Sequence, residues 1–153
     1  MNVGRHFRQT DICIMKCNFQ IEDIIGINFN RRYIDLHNNF DFIGYEYDMS
    51  IRQIILKWTK SNGEWVQEDE FNSLQIIHTN VSFLKISYDS IQNEFPDDDK
   101  CLSFISFFPS NDRATNNGMI EQQKPNEIDD IIYSFETEHF IRVHCDKIEI
   151  VCQ

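Results

Sequence analysis

The densest reactive groups in this 153-residue chain are carboxylates: Asp97, Asp98 and Asp99 stand in a row, with Glu94 just before them. A calcium loop needs oxygen ligands that alternate along the chain and a glycine at the bend. Here the carboxylates are consecutive and no glycine follows, which points to a solvated loop or a contact for a basic partner. The histidines are His6, His37, His78, His139 and His144. None stands at a metal-binding His-x-His or His-x-x-x-His spacing, and none neighbours a nucleophile motif, so structural or surface roles are expected. Cys101 follows Asp99 and Lys100. The lysine would lower the thiol's pKa, the carboxylates oppose it, and Leu102, Phe104 and Phe108 mark a core strand, so a buried, unreactive thiol is expected. Glu46 and Asp48 share a strand face, but like charges on an exposed strand are common without acid–base work. With 5 glycines and no Gly-rich phosphate loop, nucleotide chemistry lacks support. The expectation is no catalytic centre, no metal and no cofactor.

What must carry these groups is bounded by composition. The length suits a single domain over 1–153, which can bury about two thirds of the surface its unfolded form exposes. Cys13, Cys17, Cys101, Cys145 and Cys152 are an odd set without a Cys-x-x-Cys pair, which favours free thiols in a reducing compartment. No apolar run reaches the ~20 residues of a membrane span, and no apolar stretch follows the basic N-terminus. A cytoplasmic protein without a membrane partner is expected. The net charge is −11 and uneven: residues 1–87 hold 9 Lys+Arg against 11 Asp+Glu, residues 88–153 hold 5 against 14. A field of that sign repels nucleic acid and steers basic proteins in, although acidic surface also serves solubility alone.

The hydrophobic pattern is one of strands. From Leu36 to Trp58 two period-2 runs flank a polar break at Asp48–Ser50. Ile43, Tyr45 and Tyr47 share one face of the first run, and Arg52, Ile54, Leu56 and Trp58 one face of the second, the spacing of a half-buried hairpin. Ile12–Phe19, apolar on both faces, predicts a central strand. Glu22–Asn30 fits either a short helix or an irregular turn. Glu64–Val66 prolongs the strand pattern, Leu74–Thr79 alternates cleanly, and the apolar side switches within Val81–Tyr88 as at a bulge. Cys101–Phe108, Ile131–Phe135, His139–Cys145 and Lys147–Cys152 complete the strands. Residues 1–10 are expected to fray, and 109–126 to form a long surface loop. Short strands without intervening helical patterns predict a mainly β fold: an antiparallel β-sandwich or strongly curled sheet with at most one or two short helices.

Leu36-His37-Asn38-Asn39 leading into Phe42–Tyr47 and Ile51–Trp58 resembles small bacterial immunity proteins of polymorphic toxin systems, where a Phe-His-Asp-type motif precedes two strands; Asn38 stands where that motif carries an acid. The segments Leu74–Ile86, around Val81, and Arg142–Ile150, with Cys145 before the last strand, are similar to that group as well. The resemblance implies a noncatalytic inhibitor that binds and neutralises a cognate toxin. With the charge asymmetry, this makes Glu94, Asp97, Asp98, Asp99, Asp129, Asp130, Glu136 and Glu138 the candidate face for a basic toxin surface, with one or two exposed aromatics as anchors. The rival reading is a small-ligand module using the aromatic-lined side of the sheet, with Tyr45, Tyr47 or Trp58 in its pocket.

Overall fold

A computed structural model describes residues 14–87, 96–115 and 118–153. They form a mainly β fold of three sheets, none closed into a barrel. The strands are β1 (Lys16–Cys17), β2 (Gln20–Glu22), β3 (Gly26–Phe29), β4 (Arg32–Asp35), β5 (Phe40–Asp48), β6 (Gln53–Lys60), β7 (Ser73–Thr79), β8 (Phe83–Ser87), β9 (Leu102–Pro109), β10 (Asp129–Phe135), β11 (Phe140–His144) and β12 (Lys147–Cys152). One sheet runs β1-β12-β7-β6-β5, a second β8-β11-β10-β9, and a small third β2-β3-β4. Among the described residues the helical content is two short 3₁₀ turns, Pro96–Lys100 and Ser110–Asp112. No helix among the described residues is long and apolar enough to cross a membrane.

The strict alternation of β6 and β7 decides how the two larger sheets meet. Ile54, Leu56 and Trp58 on β6 and Leu74, Ile76 and His78 on β7 all point inward, because successive strand side chains alternate between faces. They meet β10 of the second sheet: Trp58 and Tyr133 lie 6.0 Å apart between ring centroids, and Phe42 lies 4.6 Å from Phe135. β10 is buried along its whole length, as a central strand covered on both faces must be. Each large apolar side chain sealed here stabilises the fold by about 1.5–3 kcal/mol relative to exposure. Inside this layer His78 Nδ1–H donates to Ile54 O at 3.2 Å while Nε2 accepts from the Tyr133 hydroxyl at 2.9 Å, so a fully buried imidazole has both nitrogens paired.

The hairpin expected at Leu36–Trp58 is β5–β6, but its first strand changes phase. Phe42 pairs with Trp58 and Gly44 with Lys57, leaving Ile43 as the extra residue of a bulge, 60% exposed. Gly44 sits at φ +132°, where no side chain would meet a clash but any Cβ would strain the backbone. Gly44→Ala should therefore destabilise by about 1–2 kcal/mol through strain alone, read as a lower urea midpoint with an unchanged m-value. After the bulge Tyr45 and Tyr47 stand opposite Leu56 and Ile54, yet at the sheet's edge they stay 38% and 40% exposed.

Elsewhere the pattern misled. The expected central strand Ile12–Phe19 is β1 alone, two residues long and parallel to β12 at a sheet edge; Ile12 and Cys13 lie outside the described residues, as do residues 1–10, expected to fray. Both faces of that segment are apolar because Met15 and Phe19 bury into the core around the edge. Glu22–Asn30 is neither helix nor irregular turn but part of a β2-β3-β4 meander, turned at Asp23 and Ile24, both with positive φ. Glu64–Val66 is a turn: Trp65 is 64% exposed and its indole N–H donates to Asn38 O at 2.9 Å. The apolar switch after Asn80 is no bulge in the described strand. Asn80 adopts a left-handed conformation (φ 57°) and passes the chain from the first sheet to the second, where β8 pairs with β11 in continuous register. Tyr88 lies outside the described residues.

Candidate functional site

Three connections converge at one end of the sheets. The β4–β5 turn is closed by Asp35, whose carboxylate accepts from Asn38 N–H and Asn38 Nδ2, both at 2.8 Å. This turn presents His37 and, at the start of β5, Asp41. The 3₁₀ turn Pro96–Lys100 carries Asp97, Asp98 and Asp99 and hands Cys101 to β9, with Cys101 N–H donating to Asp98 O at 3.2 Å. The tight β10–β11 turn is closed by Phe135 N–H to His139 O at 3.0 Å, with Glu138 at φ 64° and the Phe135 and His139 rings stacked at 4.3 Å. That turn aims Glu136 and Glu138 into solvent, and Glu136 N–H ties it to Cys101 O at 3.0 Å.

Of the expected face, Asp97, Asp98, Asp99, Glu136 and Glu138 lie on connections at this one end, though far apart in sequence. Asp97 is wide open, its side chain 95% exposed and only 3.5 Å from Lys100 Nζ. Asp35 and Asp41 join them, and nothing in the sequence pattern marked those two: each is an isolated acid in a turn or strand. Glu94 lies outside the described residues. The electrostatic effect registers on Cys101, whose thiol is pushed up to about 11, first by burial and then by Glu136, Asp98, Asp41 and Asp35. An ordinary thiol is already mostly protonated at neutral pH, and this one is more so.

Asp129 and Asp130 do not belong to that face. They start β10 at its opposite end, about 20 Å from Phe135 at ~3.3 Å per residue, and both are buried. Asp130 is enclosed by Arg142 Nε (2.7 Å), Arg113 (2.8 and 2.9 Å) and His144 Nδ1 (3.0 Å). Arg142, itself 1% exposed, donates further to Thr115 O at 2.8 Å and Pro109 O at 2.9 Å, and Arg113 lies 3.7 Å over the Phe83 ring. Asp129 accepts from Asn126 N–H at 2.7 Å and Gln122 Nε2 at 2.5 Å. These two carboxylates hold the 109–126 excursion against the sheet, and Ser106 does the same from β9 by exchanging hydrogen bonds with Ile120 N–H (2.8 Å) and O (3.0 Å). The burial of Asp130 follows from Arg142, since a guanidinium inside a sheet needs a carboxylate beside it, while Asp129 is satisfied by Asn126 and Gln122 instead.

One further convergence escaped the sequence. His37 Nδ1 stands 3.5 Å from Cys101 Sγ and 3.9 Å from Glu136 Oε1, and the three ligand-type atoms lie within 4.8 Å of one another. Cys101 is half-buried at the entry to β9 rather than packed in the core. The residues lie 64 and 35 positions from His37 to Cys101 and from Cys101 to Glu136, so no local motif could have disclosed the trio. It is not wired as a nucleophile with a relay. In a Cys–His–acid triad the two imidazole nitrogens face different partners, whereas here Nδ1 faces both thiol and carboxylate and also meets Leu102 O at 2.5 Å.

The aromatics of the rival ligand-binding reading part company. Trp58 is fully buried among Phe42 and Tyr133, while Tyr45 and Tyr47 share the face of Leu56 and Ile54 but stay partly exposed on β5, the last strand of its sheet among the described residues. An open groove of about 540 Å³ at the hairpin tip is lined by Tyr47, Met49 and Ile55 together with Glu46 and Asp48. Comparison with known proteins gives no relative: no family model, no curated protein and no solved structure matches this chain.

Proposed function

We propose that this chain is a noncatalytic immunity protein of the cytoplasm that binds a cognate toxin through the acidic end formed by Asp97, Asp98, Asp99, Glu136 and Glu138, widened by Asp35 and Asp41. The observation that carries the reading is that three separate connections bring carboxylates to one end, with Lys100 paired to Asp97 among them. Groups of one sign held together against self-repulsion suit a partner of the opposite sign. Beside them runs β5, whose outer edge has no partner strand among the described residues and which carries Tyr45 and Tyr47 toward its end, with Met49, 80% exposed, in the turn that follows. Tyr45 and Tyr47 are the anchors in this reading, rigid aromatics able to fill a pocket while the carboxylates set orientation. The acidic end and the hairpin lie along one nine-residue strand, a span of about 30 Å, which one interface of standard size covers.

The test begins with the neighbouring gene, expected to encode a secreted protein ending in a toxin domain. With that domain purified, the combined change Asp97→Lys, Asp98→Lys and Asp99→Lys should slow association about tenfold or more at low salt and leave dissociation nearly unchanged. Raising ionic strength should slow the wild-type protein toward the variant. Association indifferent both to salt and to the three lysines would overturn the acidic-face reading.

A further inference from the structure

We propose that His37, Cys101 and Glu136 form a binding site for one divalent transition-metal ion of the zinc class. The donors come from three elements: the β4–β5 turn, the entry to β9 and the β10–β11 turn. They offer one nitrogen, one sulfur and one carboxylate oxygen, a set suited to zinc and its neighbours and unsuited to calcium or magnesium, which take oxygen alone. A tetrahedral ion with bonds of about 2.0–2.3 Å holds its ligand atoms roughly 3.3–3.7 Å apart. The observed 3.5 Å between His37 Nδ1 and Cys101 Sγ falls in that range, and the 3.9 Å to Glu136 Oε1 closes by a small swing of a side chain that is 41% exposed. That one ring nitrogen faces both other donors, the arrangement that prevents a proton relay, is what chelation requires.

Without the ion, Nδ1–H donates to Leu102 O at 2.5 Å. On binding, that proton leaves Nδ1 and Nε2 takes one up from solvent. The Cys101 thiol releases its proton to solvent as the sulfur–metal bond forms, so one proton is given up per ion bound. Water fills the fourth position on the solvent side. Asp35, Asp41 and Asp98, which surround Cys101, favour a cation there. The described cysteines Cys17, Cys145 and Cys152 pack on the hydrophobic core, away from this trio.

Full-length reduced protein, stripped with a chelator, is titrated with Co²⁺ and then with Zn²⁺. A thiolate-to-cobalt charge-transfer band should saturate at one equivalent, with the intense visible absorption of tetrahedral cobalt, and zinc should displace both. Cys101→Ser should abolish the charge-transfer band, and His37→Ala and Glu136→Gln should each weaken Zn²⁺ binding at least about tenfold, with circular dichroism unchanged. Absence of the band at one equivalent, its survival in Cys101→Ser, or unaltered affinity in both other variants would overturn the site. The proposal does not rest on toxin binding: a failed titration leaves the salt dependence of association as it was, and the reverse holds too.

Discussion

Asp130→Ala will unfold this protein more readily than any surface change, at a cost of about 3–5 kcal/mol. The magnitude follows from what stays behind. Arg142 is 1% exposed and donates its shortest hydrogen bond, 2.7 Å, to the carboxylate that is removed; its remaining hydrogen-bond partners are the backbone carbonyls of Thr115, Pro109 and Asp112. A guanidinium in that position can neither give up its proton nor reach water, so its charge is left without a counter-ion. Arg113 and His144 lose the same partner, but both are partly exposed and can turn outward. Urea unfolding should show the midpoint falling sharply. The double variant Asp130→Leu with Arg142→Met should recover much of the loss, because replacing both members of a buried pair removes the desolvation with the attraction. A single variant within 1 kcal/mol of wild type would mean that Arg142 finds water at this end of β10.

The second large effect is one of pH. His78 is fully buried, and burial lowers its pKa from the ordinary 6.5 to about 4, with hydrogen bonds to the Ile54 and Ile76 backbone only partly opposing. The folded protein therefore keeps the ring neutral while the unfolded chain takes up a proton near pH 6.5. Stability from this group is whole above that value, declines as the pH falls through the window, and levels off below about 4. Between pH 7 and pH 5 the loss amounts to about 2 kcal/mol, and it approaches 3 by pH 4. His139 adds in the same direction, its pKa lowered by desolvation against the pull of Asp99. Guanidinium unfolding at pH 7 and pH 5 stays above the range in which most carboxylates titrate, so the histidines dominate the difference. His78→Phe should be less stable at pH 7, having lost both partners, yet its stability should change about 2 kcal/mol less than wild type between the two pH values. An equal change in both proteins would assign the pH dependence elsewhere.

Both effects arise from polar groups inside a sheet, and neither was legible as such. In sequence, Asp129 and Asp130 look like any exposed acidic pair, and His78 is one residue in an alternating run. Alternation put His78 on the same face of β7 as Leu74 and Ile76, because strand periodicity is a local property, and that face is the buried one. It could not say what stands across the core from it: Tyr133 is 55 residues away. Arg142 carried the missing signal. A basic residue in the middle of Phe140–His144, otherwise apolar up to its end, marks a buried charge that needs an acid, and β10 is the strand that supplies it.

What the sequence by itself determined is the strand content, the β5–β6 hairpin with its polar turn, the inward faces of β6 and β7, and the closing trio of strands, since each follows from periods of two read over a few residues. The expected acidic face, drawn from the charge asymmetry together with the resemblance, named Asp97, Asp98, Asp99, Glu136 and Glu138 but also Asp129 and Asp130, which are buried at the other end of β10. Tertiary structure decided the rest: which acids are exposed and which are counter-ions, that Asp35 and Asp41 share the acidic end, and that His37, Cys101 and Glu136 face one another. The physical reason is the same in each case. Burial and long-range pairing depend on which connection lands beside which after the sheets stack, and the β4–β5, β8–β9 and β10–β11 connections meet only once β9 and β10 have paired and the sheets have packed.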